Sequence, residues 1–458
     1  MRATTWRGRG RGRGNWSTPH NPRAQIRLPP PPPLGGLHEI LKPDDFEELE
    51  MAEAISHESA VISDFQVLAS YNWAGSTGPH LIVPGLPPLW KPLKVATQLP
   101  QDAGEYLRDQ NAARYPKHPL EPAASVVLAQ DAEFDTQRAD IFACTSTLGN
   151  LLRFLKGDEK SFRFTVEAVG KTVFFTRREN APDEKILGPK GYGPTGHGHT
   201  FPEHYTQWEF SCKGSTSHQR IVSYDFNGLH LALRFEADGY LEDKEPRIDE
   251  ASHAGSQGSI PEIEGLKVQR GGHLVSQSSI FELKTRSIYK KDEDHLSDNL
   301  PRLWLAQIPH LTLAFHEYGM FKPENISVRE VHSELQQWQT DNADLLCRYG
   351  RLLKKLIALA RDPNFGKYEV CYSTPGQLEV RHQGGTVFSP LSSKATEDWL
   401  SRDDVASDSD SSGIILGADE NDSDGAALSD EDDDGFVLDY TVCSDACDYC
   451  GRCRYKSR

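Results

Sequence analysis

The sequence predicts an α/β protein with a mixed central β-sheet flanked by helices. Residues 229–240 and 280–286 are apolar segments of strand length in which charged residues alternate with apolar ones. In residues 345–357, apolar side chains recur at helical spacing, which indicates an amphipathic helix that covers the sheet. The compositionally ordinary region spans residues 37–390 of the 458, and we expect it to form one large domain.

The two ends of the chain differ in composition from this domain. Residues 1–36 contain an arginine-glycine repeat at 7–14, flanked by Trp6 and Trp16, and then five prolines. We expect a disordered tail that binds RNA, because arginine pairs with phosphate and stacks on bases. Residues 391–440 predict an acidic, disordered linker, in which serines lie among aspartates.

The net charge of −17 does not exclude a nucleic-acid substrate. Residues 403–439 carry 14 acidic residues and no lysine or arginine, so the rest of the chain has a net charge of only −3. The sequence has no apolar run long enough to span a membrane and no secretory signal. Its cysteines outside the C-terminal segment are scattered, which predicts an intracellular protein of the nucleus or cytoplasm.

The elements of the first half follow from local patterns. Residues 37–60 are rich in Glu and Leu and predict a helix, whereas the prolines of residues 83–90 predict a rigid loop. Residues 141–154 carry an apolar pattern. Alternation in residues 162–179 predicts two strands around a turn at Gly170.

The second half contains the longer predicted strands. Residues 229–240 predict a strand with Leu231, Leu233 and Phe235 on one face. Polar residues 244–277 then predict a surface insertion. Further strands are expected at residues 280–286, 311–315 and, as short terminal strands, within 367–388.

Charged residues on the two central strands define a candidate active site. Alternation places Glu236 and Asp238 on one face of the first strand, and Glu282 and Lys284 on one face of the second, with Leu283 buried behind them. If the strands are neighbours, three carboxylates and one ammonium group converge. Such a group can hold a divalent metal and offset the charge of a phosphate.

The order of these motifs resembles that of the PD-(D/E)xK nuclease superfamily. Residues 217–238 resemble the decapping exoribonuclease (DXO-like) family, and Glu282-Leu283-Lys284-Thr285 matches its E-L-K-T motif letter for letter. Trp304-Leu305-Ala306-Gln307 is similar to its W-A-Q segment, and residues 198–205 are similar to its G-Y-K-F-E-x-Y segment. The resemblance is to a divergent, fungal-type member.

The resemblance implies a set of metal ligands. Asp238 and Glu282 would be the primary ligands of Mg²⁺ or Mn²⁺, with the Leu283 carbonyl and Glu203 completing the site. Glu236 would bind directly or through water.

The resemblance also implies roles for the substrate-binding residues. Lys284 would orient the attacking water or stabilise developing charge, and Gln307, Arg234 and Arg220 would bind the substrate. The implied activity is hydrolysis at RNA 5′ ends, of the decapping, pyrophosphohydrolase or 5′–3′ exoribonuclease type, with a 5′–3′ exonuclease as a possible partner. The alternative is an inactive relative that binds RNA or an exonuclease.

Two groups of possible metal ligands lie outside this site. The spacing C-x3-C-x2-C-x2-C at the C-terminus, in residues 441–458, predicts a zinc knuckle or else free thiols; its members are Cys443, Cys447, Cys450 and Cys453. The glycine-flanked His197 and His199 are expected to face solvent, and His218, on a predicted helix, to make a structural hydrogen bond.

Overall fold

The computed structural model describes residues 32–47, 60–75, 79–103, 109–178, 196–246 and 258–405. The arginine-glycine repeat, most of the acidic linker and the four C-terminal cysteines lie outside the described residues. None of the described helices is long and apolar enough to cross a membrane.

Strands and helices are numbered in chain order. The strands are β1 (Leu37–Leu41), β2 (Ser63–Ala74), β3 (His80–Gly85), β4 (Leu89–Trp90), β5 (Thr97–Gln98), β6 (Ile141–Cys144), β7 (Phe162–Val169), β8 (Thr172–Arg177), β9 (Thr206–Gln207), β10 (Ser215–Phe226), β11 (Leu229–Glu236), β12 (Gly239–Tyr240), β13 (Lys267–Gly272), β14 (Ile280–Ser287), β15 (His310–Glu317), β16 (Met320–Glu330), β17 (Tyr368–Thr374) and β18 (Gln377–His382). The α-helices are α1 (Gln110–Arg114), α2 (Glu121–Gln130), α3 (Thr145–Leu155), α4 (Thr200–Tyr205), α5 (His295–Ala306), α6 (His332–Asp341), α7 (Ala343–Arg361) and α8 (Ser393–Val405).

The strands form two mixed sheets, which confirms the predicted α/β class. In the described part of the chain, the larger sheet has eleven strands in the order β1-β18-β17-β7-β8-β6-β11-β10-β2-β3-β13. The smaller sheet has seven, in the order β5-β16-β15-β14-β12-β4-β9. Most neighbouring strands are antiparallel, but β6 is parallel to both β8 and β11, β14 to β15, β12 to β4 and β13 to β3.

The chain crosses from the larger to the smaller sheet immediately after β11. Leu231, Leu233 and Phe235 point into the main core, whereas Ala232 points into a second core on the opposite face. After Glu236 the chain leaves β11, and Gly239 then pairs with β14 of the smaller sheet. This crossing brings the two predicted motif segments side by side.

Helices cover both faces of the larger sheet. Helices α3, α5 and α7 contribute to the main core, because their apolar side chains recur along one face. On the opposite face, Val126 and Val127 of α2 and Trp399 of α8 are buried against the sheet. A third cluster lies on the smaller sheet, where Phe201 of α4 packs with Phe281 of β14.

Most elements predicted from local periodicity are present. The turn at Gly170, which has a positive φ of 59°, connects β7 and β8. The strands expected at residues 280–286 and 311–315 are β14 and β15, and the amphipathic helix is α7. The short terminal strands are β17 and β18.

Some element predictions are wrong where distant segments pair. Residues 37–41 form an edge strand on β18 rather than the start of a helix. Residues 83–85 and 89–90 belong to strands rather than to one loop. The predicted insertion at 244–277 contains β13, which is parallel to β3. Residues 393–405, predicted to be part of the linker, form α8, which packs on the sheet.

Candidate active site

The register of β12 on β14 sets the geometry of the site. Gly239 pairs with Phe281 in an antiparallel arrangement, so the preceding residue, Asp238, lies opposite Glu282. The backbone N–H of Leu283 donates a hydrogen bond to Asp238 Oδ2 at 2.7 Å. The two predicted motifs are therefore neighbours, and their acidic residues face each other.

Two cations contact the Glu282 carboxylate at the same oxygen. Lys284, two residues further along β14, forms an ion pair with Glu282 Oε1, as the alternation of side chains requires. Arg302 of α5 approaches the same oxygen through Nε at 3.1 Å. The Glu282 and Lys284 side chains are 0% and 2% exposed, so this charge cluster is buried.

The two carboxyl groups have opposite pKa shifts. Burial, and then the charge of Glu282, raises the pKa of Asp238 to about 7. Burial also works to raise the pKa of Glu282, but Arg302 and then Lys284 outweigh it and hold that pKa below its ordinary value. Below a pH of about 7 the pair therefore holds one proton, on Asp238, while Glu282 stays ionised.

One oxygen of each carboxyl group is buried without a hydrogen-bond partner. These atoms are Asp238 Oδ1 and Glu282 Oε2. A buried carboxylate oxygen without a partner is unfavourable by about 1–3 kcal/mol or more, so a facing pair requires an explanation. Hard oxygen donors on adjacent strands fit a divalent cation such as Mg²⁺, which is bound by one or two carboxylates and water.

Glu203 does not join this pair. In the described ranges, no three or more His, Cys, Asp and Glu side chains form a group that could hold a metal ion. The reason is the alternation along β14: Phe281 and Leu283 point toward α4, which carries Glu203, whereas Glu282 points to the opposite face. The expected ligand set of Glu203, Asp238 and Glu282 is therefore not assembled.

Glu236 also occupies a different environment from Asp238. It lies opposite Gln219 of β10, whose Nε2 donates to Glu236 Oε2 at 3.5 Å. Asp238, in contrast, is held by β14. The predicted convergence of three carboxylates assumed one continuous strand, but β11 ends at Glu236.

Arg234 and Arg220, both expected to bind substrate, are buried in internal contacts. Arg234 donates to the Pro119 carbonyl at 2.7 Å and to Cys144 Sγ at 2.9 Å. Arg220 donates through Nε to Gln277 at 2.8 Å, and so anchors the segment before β14. These contacts hold both arginines in place, and their predicted binding of substrate stays a prediction.

Gln307 lies directly after α5 with a φ of 51°, and its Nε2 donates to the Trp304 carbonyl at 2.6 Å. The side chain thus closes the C-terminus of the helix that carries Arg302. Its predicted contact with substrate stays a prediction.

The three histidines considered from the sequence are all buried. His218 lies on a strand, not on a helix, and its Nδ1 is 2.6 Å from Asn72 Oδ1, which confirms a structural hydrogen bond. His197 and His199 are buried rather than solvent-facing. The ring of His197 is held through Nδ1 by the Pro100 carbonyl at 2.8 Å.

Arg302 is the residue of this site that sequence patterns missed. It lies 20 positions after Glu282, in a helix whose contact with β14 depends on the tertiary fold. Its position within α5, two residues before the W-L-A-Q segment, is the one local signal available.

Comparison with protein-family models places the chain in a defined family. A model described as a domain of unknown function, DUF8563, matches residues 52–371. The chain therefore belongs to the DUF8563 family. No curated protein sequence matches it.

Several solved structures are similar to this chain at low sequence identity. Rai1 from Scheffersomyces stipitis in complex with (3′-NADP)⁺ and calcium ion has a TM-score of 0.50 and 11% identity, over 76% of this chain and 100% of that one. S. pombe Rai1 has a TM-score of 0.48 and 11% identity, over 75% and 99%. K. lactis Dxo1 in complex with manganese has a TM-score of 0.41 and 9% identity, over 72% and 92%. The predicted resemblance to the DXO-like family is confirmed as a likeness of fold.

Proposed function

We propose that the chain is a metal-dependent nuclease that processes RNA 5′ ends. The observation that carries the proposal is the pair of buried carboxylate oxygens without partners, Asp238 Oδ1 and Glu282 Oε2, on residues that lie opposite each other beside the buried Lys284. The S. stipitis Rai1 of the same fold holds a calcium ion and (3′-NADP)⁺. That complex supports a divalent cation and a nucleotide-containing ligand in this chain as well.

The proposed mechanism assigns a role to each charged residue. Asp238 and Glu282 would hold Mg²⁺ or Mn²⁺, with water and substrate oxygens as the remaining ligands. A bound divalent cation supplies an activated water and neutralises phosphate charge. Lys284 fixes the orientation of Glu282, and its ammonium group stabilises negative charge that develops on the phosphate.

The finer features of the substrate follow from the resemblance alone. RNA with a 5′ cap, triphosphate or monophosphate is the expected substrate class, and the arginine-glycine repeat at residues 7–14 would add affinity for RNA. A 5′–3′ exonuclease partner, zinc at the C-terminal cysteines and an intracellular location remain predictions.

A specific observation favours the second candidate, an inactive relative that binds RNA or an exonuclease. In the described residues, two carboxylates rather than three meet at the site, with Glu203 on the other face of β14. Binding could persist with this incomplete set, whereas catalysis requires the cation to be held.

The two candidates are separated by an RNA-cleavage experiment. Purified full-length protein is incubated with Mg²⁺ or Mn²⁺ and RNAs that carry a 5′ monophosphate, triphosphate or cap. The test variant is the double substitution Glu282→Ala, Lys284→Ala. The matched control is Glu262→Ala, Lys394→Ala, which removes an exposed glutamate–lysine pair on another part of the surface.

We expect cleavage by the wild type and the control, and a loss of at least about a hundredfold in the test variant. Absence of cleavage with every RNA and metal, together with retained RNA binding, would establish the second candidate instead. Equal cleavage by the wild type and the test variant would disprove the assigned site.

A further inference from the structure

We propose that Arg302 binds the phosphate of the substrate, as a substrate-binding residue of the nuclease proposed above, on which this inference rests. The proposal starts from its position. Arg302 projects from α5 onto the face of β14 that carries Glu282, and its Nε lies 3.1 Å from Glu282 Oε1. It therefore adjoins the oxygens that would hold the cation.

Exposure distinguishes Arg302 from the other charged groups of the site. Its side chain is 25% exposed, whereas the Lys284 side chain is 2% exposed. Part of the Arg302 side chain is therefore accessible to solvent, as a residue that meets an incoming phosphate requires. A guanidinium group also matches phosphate oxygens with a planar fork of donors, which an ammonium group lacks.

Arg302 is not needed to hold Glu282 in place, because Lys284 already does so. Lys284 already neutralises the same oxygen, Oε1, from the same strand, while Oε2 has no partner. An arginine whose purpose was to fix this carboxylate would gain more by bridging both oxygens. The observed contact leaves Glu282 Oε2 available to a cation.

The charge of the site leads to the same conclusion. Asp238 and Glu282, when both are ionised, balance Lys284 and Arg302. A bound divalent cation then leaves an excess of two positive charges, which suits a phosphate group. Removal of Arg302 halves that excess, but it also removes a positive charge that repels the metal ion.

Because Arg302 attracts phosphate but repels the metal ion, its removal should change the affinities for these two ligands in different directions. Arg302→Gln should weaken binding of uridine 5′-monophosphate by about ten- to a hundredfold in the presence of Mn²⁺. Binding of Mn²⁺ alone should be unchanged or tighter. If Arg302 merely positions Glu282, the same substitution weakens Mn²⁺ binding, and the nucleotide affinity falls with it.

The experiment uses calorimetric titration of the full chain with Mn²⁺ alone, and then with uridine 5′-monophosphate or uridine in saturating Mn²⁺. Arg381→Gln is the matched control, because Arg381 pairs through Nε with Glu379 at 2.8 Å and is 18% exposed. This control should bind as the wild type does. Arg302→Lys keeps the charge without the fork and should lose nucleotide affinity by about threefold or more.

Three results would overturn the proposal: no preference of the wild type for the monophosphate over uridine, unchanged nucleotide affinity in Arg302→Gln, or parallel losses of nucleotide and Mn²⁺ affinity. If Arg302→Gln does not fold, Arg302→Lys decides by the same criteria. The outcome is separate from that of the RNA-cleavage experiment. A protein that binds the monophosphate through Arg302 without cutting RNA supports this inference and disproves the nuclease.

Discussion

Two carboxyl groups that face each other across neighbouring strands have different environments. One oxygen of Asp238 accepts the Leu283 N–H and the other has no partner, whereas Glu282 contacts two cations. Burial therefore raises the pKa of Asp238, and the arginine and lysine keep Glu282 ionised. At the proposed metal site, a proton therefore occupies Asp238 below a pH of about 7.

This arrangement predicts that Mn²⁺ binding depends on pH. Below the Asp238 pKa of about 7, the cation must displace a proton, so affinity should fall by up to about tenfold per pH unit. Above that pKa, affinity should become independent of pH. Calorimetry between pH 6 and 8, in buffers of different ionisation enthalpy, measures both the affinity and the protons released.

Asp238→Asn provides the control for this dependence. The amide cannot ionise, so the remaining Mn²⁺ binding should be weaker and should lose its dependence on pH near 7. Flat wild-type affinity from pH 6 to 8 without proton release would contradict the assignment of the proton to Asp238.

At the scale of single elements, the sequence predicted those strands and helices that local periodicity determines. In β11 and β14, strict alternation identified the buried faces and placed Glu282 beside Lys284. In α7, the apolar stripe identified the helix and its buried face. These signals are contained within one segment of the chain.

The features that were missed all depend on distant segments. β1 exists because residues 378–381 lie beside it, although its composition suits a helix. β13 is polar but is fixed by its parallel partner β3. Arg302 reaches Glu282 because α5 lies over β14, and the bend after Glu236 exists because the chain changes sheets. No periodic pattern within a single segment predicts such contacts.

Replacing either of two helical glycines by alanine should change stability in opposite directions. In α7, a Cβ added at Gly350 would lie 2.5 Å from Asn227 Cγ, and the Asn227 amide is held by a hydrogen bond to the Leu346 carbonyl. Gly350→Ala should therefore destabilise the protein by about 1–3 kcal/mol. Chemical denaturation monitored by circular dichroism measures this free energy of unfolding.

Gly149→Ala in α3 is the matched control. Its Cβ would meet Leu305 Cδ1 at 3.6 Å, which is an ordinary contact. Alanine favours the helix, so this variant should be neutral or more stable by up to about 1 kcal/mol. Equal effects of the two substitutions would show that the packing of α7 on Asn227 is looser than described.

At the scale of the whole molecule, the site lies where the two sheets meet. β11 belongs to the larger sheet and β12 to the smaller, so the two-residue connection Ala237–Asp238 places the Asp238 carboxylate, a proposed metal ligand, at the junction. Ala237 is buried in the main core at that point. The position of Asp238 thus depends on both sheets being held together, and therefore on the helices that cover them.

Helix α8 covers the second face of the larger sheet and belongs to the folded unit. Trp399 of α8 is 1% exposed, packs against Phe142 and Phe174, and donates through Nε1 to Thr172 Oγ1 at 3.2 Å. Its helix is anchored at Ser392, whose N–H donates to the Glu121 carboxylate at 2.6 Å. The fold thus includes α8, which extends to residue 405.

We therefore predict that truncation after residue 405 leaves the thermal unfolding temperature within about 2 °C of the full chain, since none of the packing described above is removed. Truncation after residue 390 should abolish cooperative unfolding, because it exposes Phe142 and Phe174 and leaves Glu121 without Ser392. Differential scanning calorimetry of the three proteins measures this. In the full chain, Trp399→Ala should cost about 3–5 kcal/mol by removing the same packing. If the 1–390 protein has the same unfolding temperature as the full chain, then α2 and the sheet complete the second core without α8.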